Sequence, residues 1–456
     1  MEHESSSKST STTSTASPPF DKVSADVILR TSDNIDFHVH KLVLSLASPF
    51  FETMFSLPQP VAPQDISLRE RPVIDVSEDS KVIDCLLRYT YPVHDPEIDD
   101  LDLLDCVFSA AAKYELVDAL AMITKTLREF IPTRPLQSYI IGCHQNSEEV
   151  ASEAAAAWKL EVSGDDNAAS FENTLAALSY LPELAAHRLS AGCYYRLLQY
   201  LRGEPVPTFC QPSVQPEDPE MSQLAEDLTE LDLNMAVTSY PFDRVDADLI
   251  LRSSDGVDFR VHRLVLDVNL SSDAEGSLDT FVKGFPETST DGVPVHRMSY
   301  DKYSLRFLLT MCYPRDNIEN WSIELISSQA AMEAIRAAKR YCFEAILRRV
   351  KARLHQLIIR QPFKIYCISV ILGLEEEVEA AAKRLAFSTI HSEYCVELEQ
   401  ISASDYYRLL EYHHRCRAVI RSALPNRNVP TLMAGTAAVE AKVEQALQYV
   451  STQTSL

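Results

Sequence analysis

Histidine pairs and cysteines are the side chains with which this sequence could do chemistry. His38 and His40 stand two apart in DFHVHK, and on an extended strand that spacing puts both rings on one face, as a shared metal would need. The same stretch recurs as DFRVHR, where Arg260 replaces His38 while His262 repeats His40. Loss of one ring argues against paired ligation, so a structural role is expected at position 40. His413 and His414 are neighbours in a helical stretch; their side chains should diverge, and both are read as solvated. The ten cysteines, at 85, 106, 143, 193, 210, 312, 342, 367, 395 and 416, include no Cys-x-x-Cys, which predicts reduced thiols rather than a zinc or redox motif. Cys85 in VIDCLLRY and Cys106 in LLDCVFSAA are expected to pack as small hydrophobes.

Other chemistries fail on spacing. The chain has 10 glycines, none in a G-x-G-x-x-G or G-x-x-x-x-G-K arrangement, so no phosphate-cradling loop is expected. Neither a G-x-S-x-G elbow nor an H-E-x-x-H helix occurs, and no enzyme, cofactor or metal is therefore expected. A net charge of -24 with no Lys/Arg cluster opposes a phosphate backbone, so direct nucleic-acid contact is not expected either. The opening MEHESSSKSTSTTSTASPPF lacks the apolar core of a leader. No run approaches the roughly 20 apolar residues of a membrane helix. The expectation is a protein without membrane attachment, in the cytoplasm, the nucleus or both.

What remains is organisation, and the chain repeats itself. ADVILRTSDNIDFHVHKLVLSL at residues 25–46 recurs as ADLILRSSDGVDFRVHRLVLDV at 247–268, an offset of 222. The same offset relates Pro72-Val73 to Pro294-Val295 and Tyr91-Pro92 to Tyr313-Pro314. Further on, AAKYE near Lys113 answers AAKRY near Lys339, and each copy closes on Tyr-Tyr-Arg-Leu-Leu, at 194–198 and 406–410. A unit of about 200 residues is a duplicated module rather than a solenoid repeat.

Within one module, alternation in ADVILRT and DFHVHK around Ser32-Asp33-Asn34 predicts a hairpin over 25–41. Leu42, Leu46, Phe50 and Met54 then recur at four-residue steps, which predicts a helical pair interrupted near Pro49. RPVIDVS reads as a short strand, and SKVIDCLLRYTY as an amphipathic helix stopped before Pro92. Two helices follow, closing at Pro132, and then four short helical segments that should form a separate bundle. The Tyr194-Tyr195 and Tyr406-Tyr407 pairs are expected to lock the last helix of each copy.

The spacing D-x10-F-x2-H-K-x2-L-x3-SPFF-x2-M, carried by Asp26, Phe37, His40, Lys41, Leu44, Ser48, Pro49, Phe50, Phe51 and Met54, resembles the BTB/POZ family. The whole chain looks like the duplicated BTB proteins common in fungi. That resemblance implies an α+β fold: two tandem BTB/POZ-like domains, each a small β-sheet flanked by helices, each followed by an all-α helical bundle. The expected layout is a disordered Ser/Thr-rich tail over 1–19, a first domain at 20–131 and its bundle at 132–204. A Pro/acidic linker at 205–241 precedes a degenerate second domain at 242–353, a second bundle at 354–417 and a tail with a helix at 418–456.

The resemblance implies protein association without catalysis: dimerisation, partner recruitment and, in some branches, docking of substrates onto cullin-type ubiquitin ligase scaffolds. The alternative it carries is a transcriptional or chromatin regulator acting through protein partners. By resemblance Asp26 and Lys41 match a charged pair near the dimer-facing surface, repeated with signs kept as Asp248 and Arg263 and flanked by His40 and His262. A buried ion pair holding hairpin to helix is an equal reading. Phe50, Phe51, Met54 and Phe55 are expected core or interface anchors, and Leu68-Arg69-Glu70 resembles the hydrophobic-x-Glu tripeptide of cullin-binding members. A homodimer and an intrachain pseudo-dimer both stay open.

At the 222 offset those four apolar residues become Ser272, Asp273, Gly276 and Ser277. Each large side chain would stabilise a docked helix by roughly 1.5–3 kcal/mol. Residues 268–292 are therefore expected to be a partly disordered loop, leaving the second domain incomplete.

Overall fold

A computed structural model of the chain describes residues 14–57, 71–163, 189–210, 241–270, 281–282, 287–288, 292–313, 322–386, 388, 390 and 393–423. Two compact units result, one of residues 1–189 and 195–211, the other of residues 190–194 and 212–456.

The first unit opens with strands β1 (Ser14–Thr15), β2 (Val27–Arg30) and β3 (Ile35–Val39), joined after two helices by β4 (Val73–Asp75), in the order β1-β3-β2-β4. β2 and β3 are antiparallel, with Val27 opposite Val39 and Arg30 opposite Asp36. Alternation turns Val27, Leu29, Phe37 and Val39 inward, while Arg30 grips Asp36 through both carboxylate oxygens at 2.8 and 2.9 Å. Asn34 takes a φ of 63° to close the turn, a conformation asparagine tolerates. Gly256 does so at φ 84° in the repeat.

Helices α1 (Lys41–Ala47) and α2 (Pro49–Ser56) meet at Ser48. Pro49 forces the residue before it out of the helical region, and Ser48 sits at φ -147°, ψ 118°. Its hydroxyl accepts from the Phe51 amide at 3.1 Å and donates to the Tyr114 carbonyl at 2.6 Å. Helices α3 (Ser80–Thr90), α4 (Leu101–Lys113), α5 (Val117–Phe130), α6 (Pro135–His144) and α7 (Glu148–Ser163) follow, and α8 (Ala191–Leu201) belongs to this unit from residue 195 on. The bundle expected to be separate begins with α6, eight of whose ten residues are buried. Gln145, just after it, donates to Asp105 of α4 at 2.7 Å. The boundary expected at residue 131 thus lies inside one compact unit.

The second unit holds β5 (Leu249–Arg252), β6 (Asp258–Val261), β7 (Glu287–Thr288) and β8 (Pro294–Arg297), in the order β6-β5-β8-β7. Its helices are α9 (Arg263–Asn269), α10 (Lys302–Cys312), α11 (Ile323–Ser327), α12 (Gln329–Arg340), α13 (Glu344–Ile358), α14 (Pro362–Leu372), α15 (Glu375–Leu385) and α16 (Ala403–Ala423), with a 3-10 turn at Val396–Gln400. β5 pairs with β6 in the register of β2 with β3, Arg252 opposite Asp258. The Arg252 fork again holds its aspartate, at 2.6 and 2.8 Å.

Several expectations need correction. The tail expected to be disordered to residue 19 contains β1, which pairs with β3 through Ser14 and Ile35. The linker expected to be extended from residue 205 is docked at its start. The Phe209 ring is buried against Tyr139 and Tyr200, and the Glu148 carboxylate accepts the Phe209 and Cys210 amides at 2.8 and 2.9 Å. Cys106 is exposed rather than packed. His413 is buried, its Nε2 2.8 Å from the Ser388 carbonyl, not solvated.

The expectation of a loop over 268–292 is overturned in part. α9 runs through Asn269, β7 pairs with β8, and Phe281 and Val282 are buried. The Phe281 ring packs on Tyr341 at 5.0 Å and Phe343 at 5.4 Å. Phe51 meets the corresponding Tyr114 at 5.2 Å, stacked where Phe281 is edge-on to Tyr341. Tyr114 and Tyr341 each close the helix before a residue of positive φ, Glu115 and Cys342. Phe281 thus does the work of Phe51, at an offset of 230 rather than 222: the copies are out of step there because the second has extra residues between α9 and this phenylalanine. Residues 271–280, Leu68, Glu70 and the C-terminal AAVEAKVEQALQYV lie outside the described residues.

Candidate protein-interaction surface

The junction between the hairpin and α1 is built the same way twice. The first amide of a helix has no partner within it. In α1 that amide, of Lys41, donates to Asp26 Oδ1 at 2.8 Å; in α9 the Arg263 amide donates to Asp248 Oδ1 at 2.8 Å. Asp26 is exposed, and no ion pair joins its side chain to Lys41 among the described residues. The reading of a buried ion pair is therefore replaced by a helix-start cap, while the Lys41 ammonium lies 5.6 Å from the Phe55 ring centre.

His40 and His262, the residues just before these helices, each give a backbone amide to a tyrosine hydroxyl, Tyr91 at 2.7 Å and Tyr313 at 3.2 Å. Burial pushes the Tyr91 phenol up to about 12, so it stays protonated at neutral pH. Phe20, Phe37 and Tyr91 form one aromatic cluster, repeated by Phe242, Phe259 and Tyr313. Ser24 Oγ sits 3.3 Å from His40 Nε2, and Asp246, its counterpart, 3.5 Å from His262 Nε2. These contacts bring the turn before the hairpin beside the start of the helix. His38 lies in β3 against Arg71 at 3.1 Å, apart from His40. Among the described residues no group of His, Cys, Asp or Glu could hold a metal ion.

On this junction lies an exposed apolar face. Leu42 and Leu46, whose four-residue spacing predicted the helix, are 70% and 81% exposed; Leu44 is the residue α1 buries. Val23 in the adjoining turn is 83% exposed. In the second unit Val245, Leu264 and Val268, all at the 222 offset, are 92%, 73% and 74% exposed, and Leu266 is buried as Leu44 is. Residues four apart share one side of a helix. Each unit therefore presents two neighbouring aliphatic side chains on its first helix and a valine in the turn before its hairpin.

The four expected anchors divide. Phe51 is buried against Tyr114; Phe50 is partly exposed beside the same ring, at 5.6 Å; Met54 and Phe55 are half-buried, Phe55 stacked on Phe51 at 5.9 Å. Phe50 and Phe51 thus pack α2 on Tyr114, the residue that ends α4, while Phe55 lies under the Lys41 ammonium of α1. Val23, Leu42 and Leu46 were missed as surface residues, although one signal was available. Their counterparts stay aliphatic while neighbouring polar positions change, Ser24 to Asp246 and Ser45 to Asp267.

No helix among the described residues is long and apolar enough to cross a membrane. No curated protein matches the chain. The BTB/POZ domain family model matches residues 19–131, which span β2 to α5 and this first face. Such domains are in general protein–protein interaction modules, and it is a BTB/POZ domain that residues 19–131 form.

Proposed function

We propose that the chain is a non-enzymatic association scaffold carrying a second BTB-like domain at 242–353, and that it binds further copies of itself through the aliphatic faces of α1 and α9. One observation carries this reading. Three exposed apolar side chains, Val23, Leu42 and Leu46, recur at Val245, Leu264 and Val268 in units whose caps, hairpins and tyrosine contacts also correspond. Solvent-facing leucines at i and i+4 add nothing to the stability of the monomer, but become favourable when a like surface covers them.

Light scattering of the purified chain across a range of concentrations tests this. A mass of two chains or more, rising with concentration, is the expected result; a single-chain mass throughout rejects it. The narrower role of a ubiquitin-ligase adaptor makes a separate demand: saturable calorimetric binding to the N-terminal region of a cullin scaffold, weakened by Glu70→Ala. Absence of binding from a folded, self-associating protein removes the adaptor role and leaves the scaffold, with partner-mediated regulation as its alternative use.

A further inference from the structure

Two cysteines of the second unit face each other. Cys367 lies in the middle of α14 and is fully buried, and Cys395 is the half-buried residue just before the 3-10 turn. Their sulfur atoms are 3.6 Å apart across 28 residues of chain, which is van der Waals contact for sulfur. Independent contacts set this approach. Just before Cys367 in α14, Lys364 pairs with the buried Glu397 at 3.4 Å and the Tyr366 hydroxyl donates to the Asp405 carbonyl at 2.9 Å. The turn of α14 that leads into Cys367 is thus tied to the residues that follow Cys395, by contacts that do not involve either thiol. A disulfide needs a sulfur separation of about 2.05 Å, so the pair has roughly 1.5 Å to close, within the reach of side-chain torsions.

We propose that Cys367 and Cys395 form a peroxide-sensitive modification site, in which Cys395 is oxidised first and Cys367 then converts it to an intrachain disulfide. The order follows from access. Cys395 is open to a small oxidant, whereas burial keeps the Cys367 thiol protonated and out of contact with solvent. In the first step the Cys395 sulfur attacks hydrogen peroxide, a sulfur–oxygen bond forms as the oxygen–oxygen bond breaks, and the thiol proton leaves with the departing oxygen as water. In the second the Cys367 sulfur attacks the sulfenic sulfur of Cys395, the sulfur–oxygen bond breaks, and the Cys367 proton leaves with the hydroxyl as a second water. One peroxide is reduced and two thiols are oxidised to one disulfide. The bond would pin the 3-10 turn to α14.

The test treats the full-length reduced chain with hydrogen peroxide, blocks remaining thiols and maps peptides without reduction. The expected result is a linked Cys367–Cys395 peptide, lighter by two hydrogens (about 2 Da) than its separate parts. Dithiothreitol should reverse it, and the melting temperature of the oxidised protein should rise, as closing a loop of this length stabilises. In Cys367→Ser the reaction should stop at a Cys395 sulfenic acid that dimedone traps. Cys106, exposed on α4, serves as the internal comparison. Oxidation of Cys106 while the pair stays reduced, further oxidation of Cys395 to the sulfinic acid with Cys367 intact, or no reaction at the pair would each overturn the proposal. None of these outcomes bears on self-association.

Discussion

Asp26 accepts the first amide of α1 and Asp248 the first amide of α9, so losing either carboxylate leaves an orphan donor at a helix start. Asp26→Ala should cost about 1 kcal/mol of stability, read as a lower urea midpoint at unchanged slope. Lys41→Ala should cost less, since its contribution to this junction is made by the backbone. Glu78 offers a pH test. Burial alone would raise its carboxyl, but hydrogen bonds from Lys113 at 2.7 Å and Tyr114 at 2.5 Å outweigh burial and hold it below the usual glutamate range. A carboxyl depressed in the folded state contributes stability above its unfolded value, and that contribution fades as pH falls through the folded one. Glu78→Gln should therefore lower stability at pH 7, with the difference from the parent shrinking toward pH 3 in thermal melts; a constant difference would contradict the assignment. At this scale the sequence named the right pairs with the wrong bond. Asp26 with Lys41 is visible as two charges fifteen residues apart, but which atom of the second residue donates to the carboxylate depends on where the helix starts, which composition does not contain.

Among the elements, the hairpin and the helix break at Pro49 could be read directly, because alternation, turn residues and a proline act over a few residues. Burial of α1 could not. A seven-residue helix buries one line, and Leu44 occupies it, whereas four-residue periodicity singled out Leu42 and Leu46, which face outward. The second unit misled for a different reason. Alignment at one fixed offset put serine and glycine where apolar anchors were needed, and a phenylalanine displaced by several residues restored the packing. Phe281→Ala should destabilise the second unit by about 3–5 kcal/mol, as expected for removing a buried ring, and Phe51→Ala the first by a similar amount. Hydrogen exchange would check both: amides of α12 should lose protection in the Phe281 variant and amides of α4 in the Phe51 variant.

At the scale of the molecule, the recurrence of the hairpin, of Pro72-Val73 and of Tyr91-Pro92 at one offset was the most legible feature, although that register breaks at Phe281. If the two faces bind further copies as proposed, the chain has a valence of two, and such chains assemble beyond a dimer unless the faces pair off in a closed set. Substituting one face alone should then reduce the largest species without abolishing association, whereas substituting both should leave single chains. Exposed leucines can take a charge without loss of folding, so these changes separate association from stability.

Sedimentation velocity on the parent chain, Leu42→Lys/Leu46→Lys and the quadruple variant adding Leu264→Lys and Val268→Lys tests the central claim most directly. Concentration-dependent oligomers in the parent, weakened about tenfold or more in the double variant and absent in the quadruple, are the predicted result. Parent and quadruple variant sedimenting alike, with circular dichroism unchanged, would show that these faces do not carry the association.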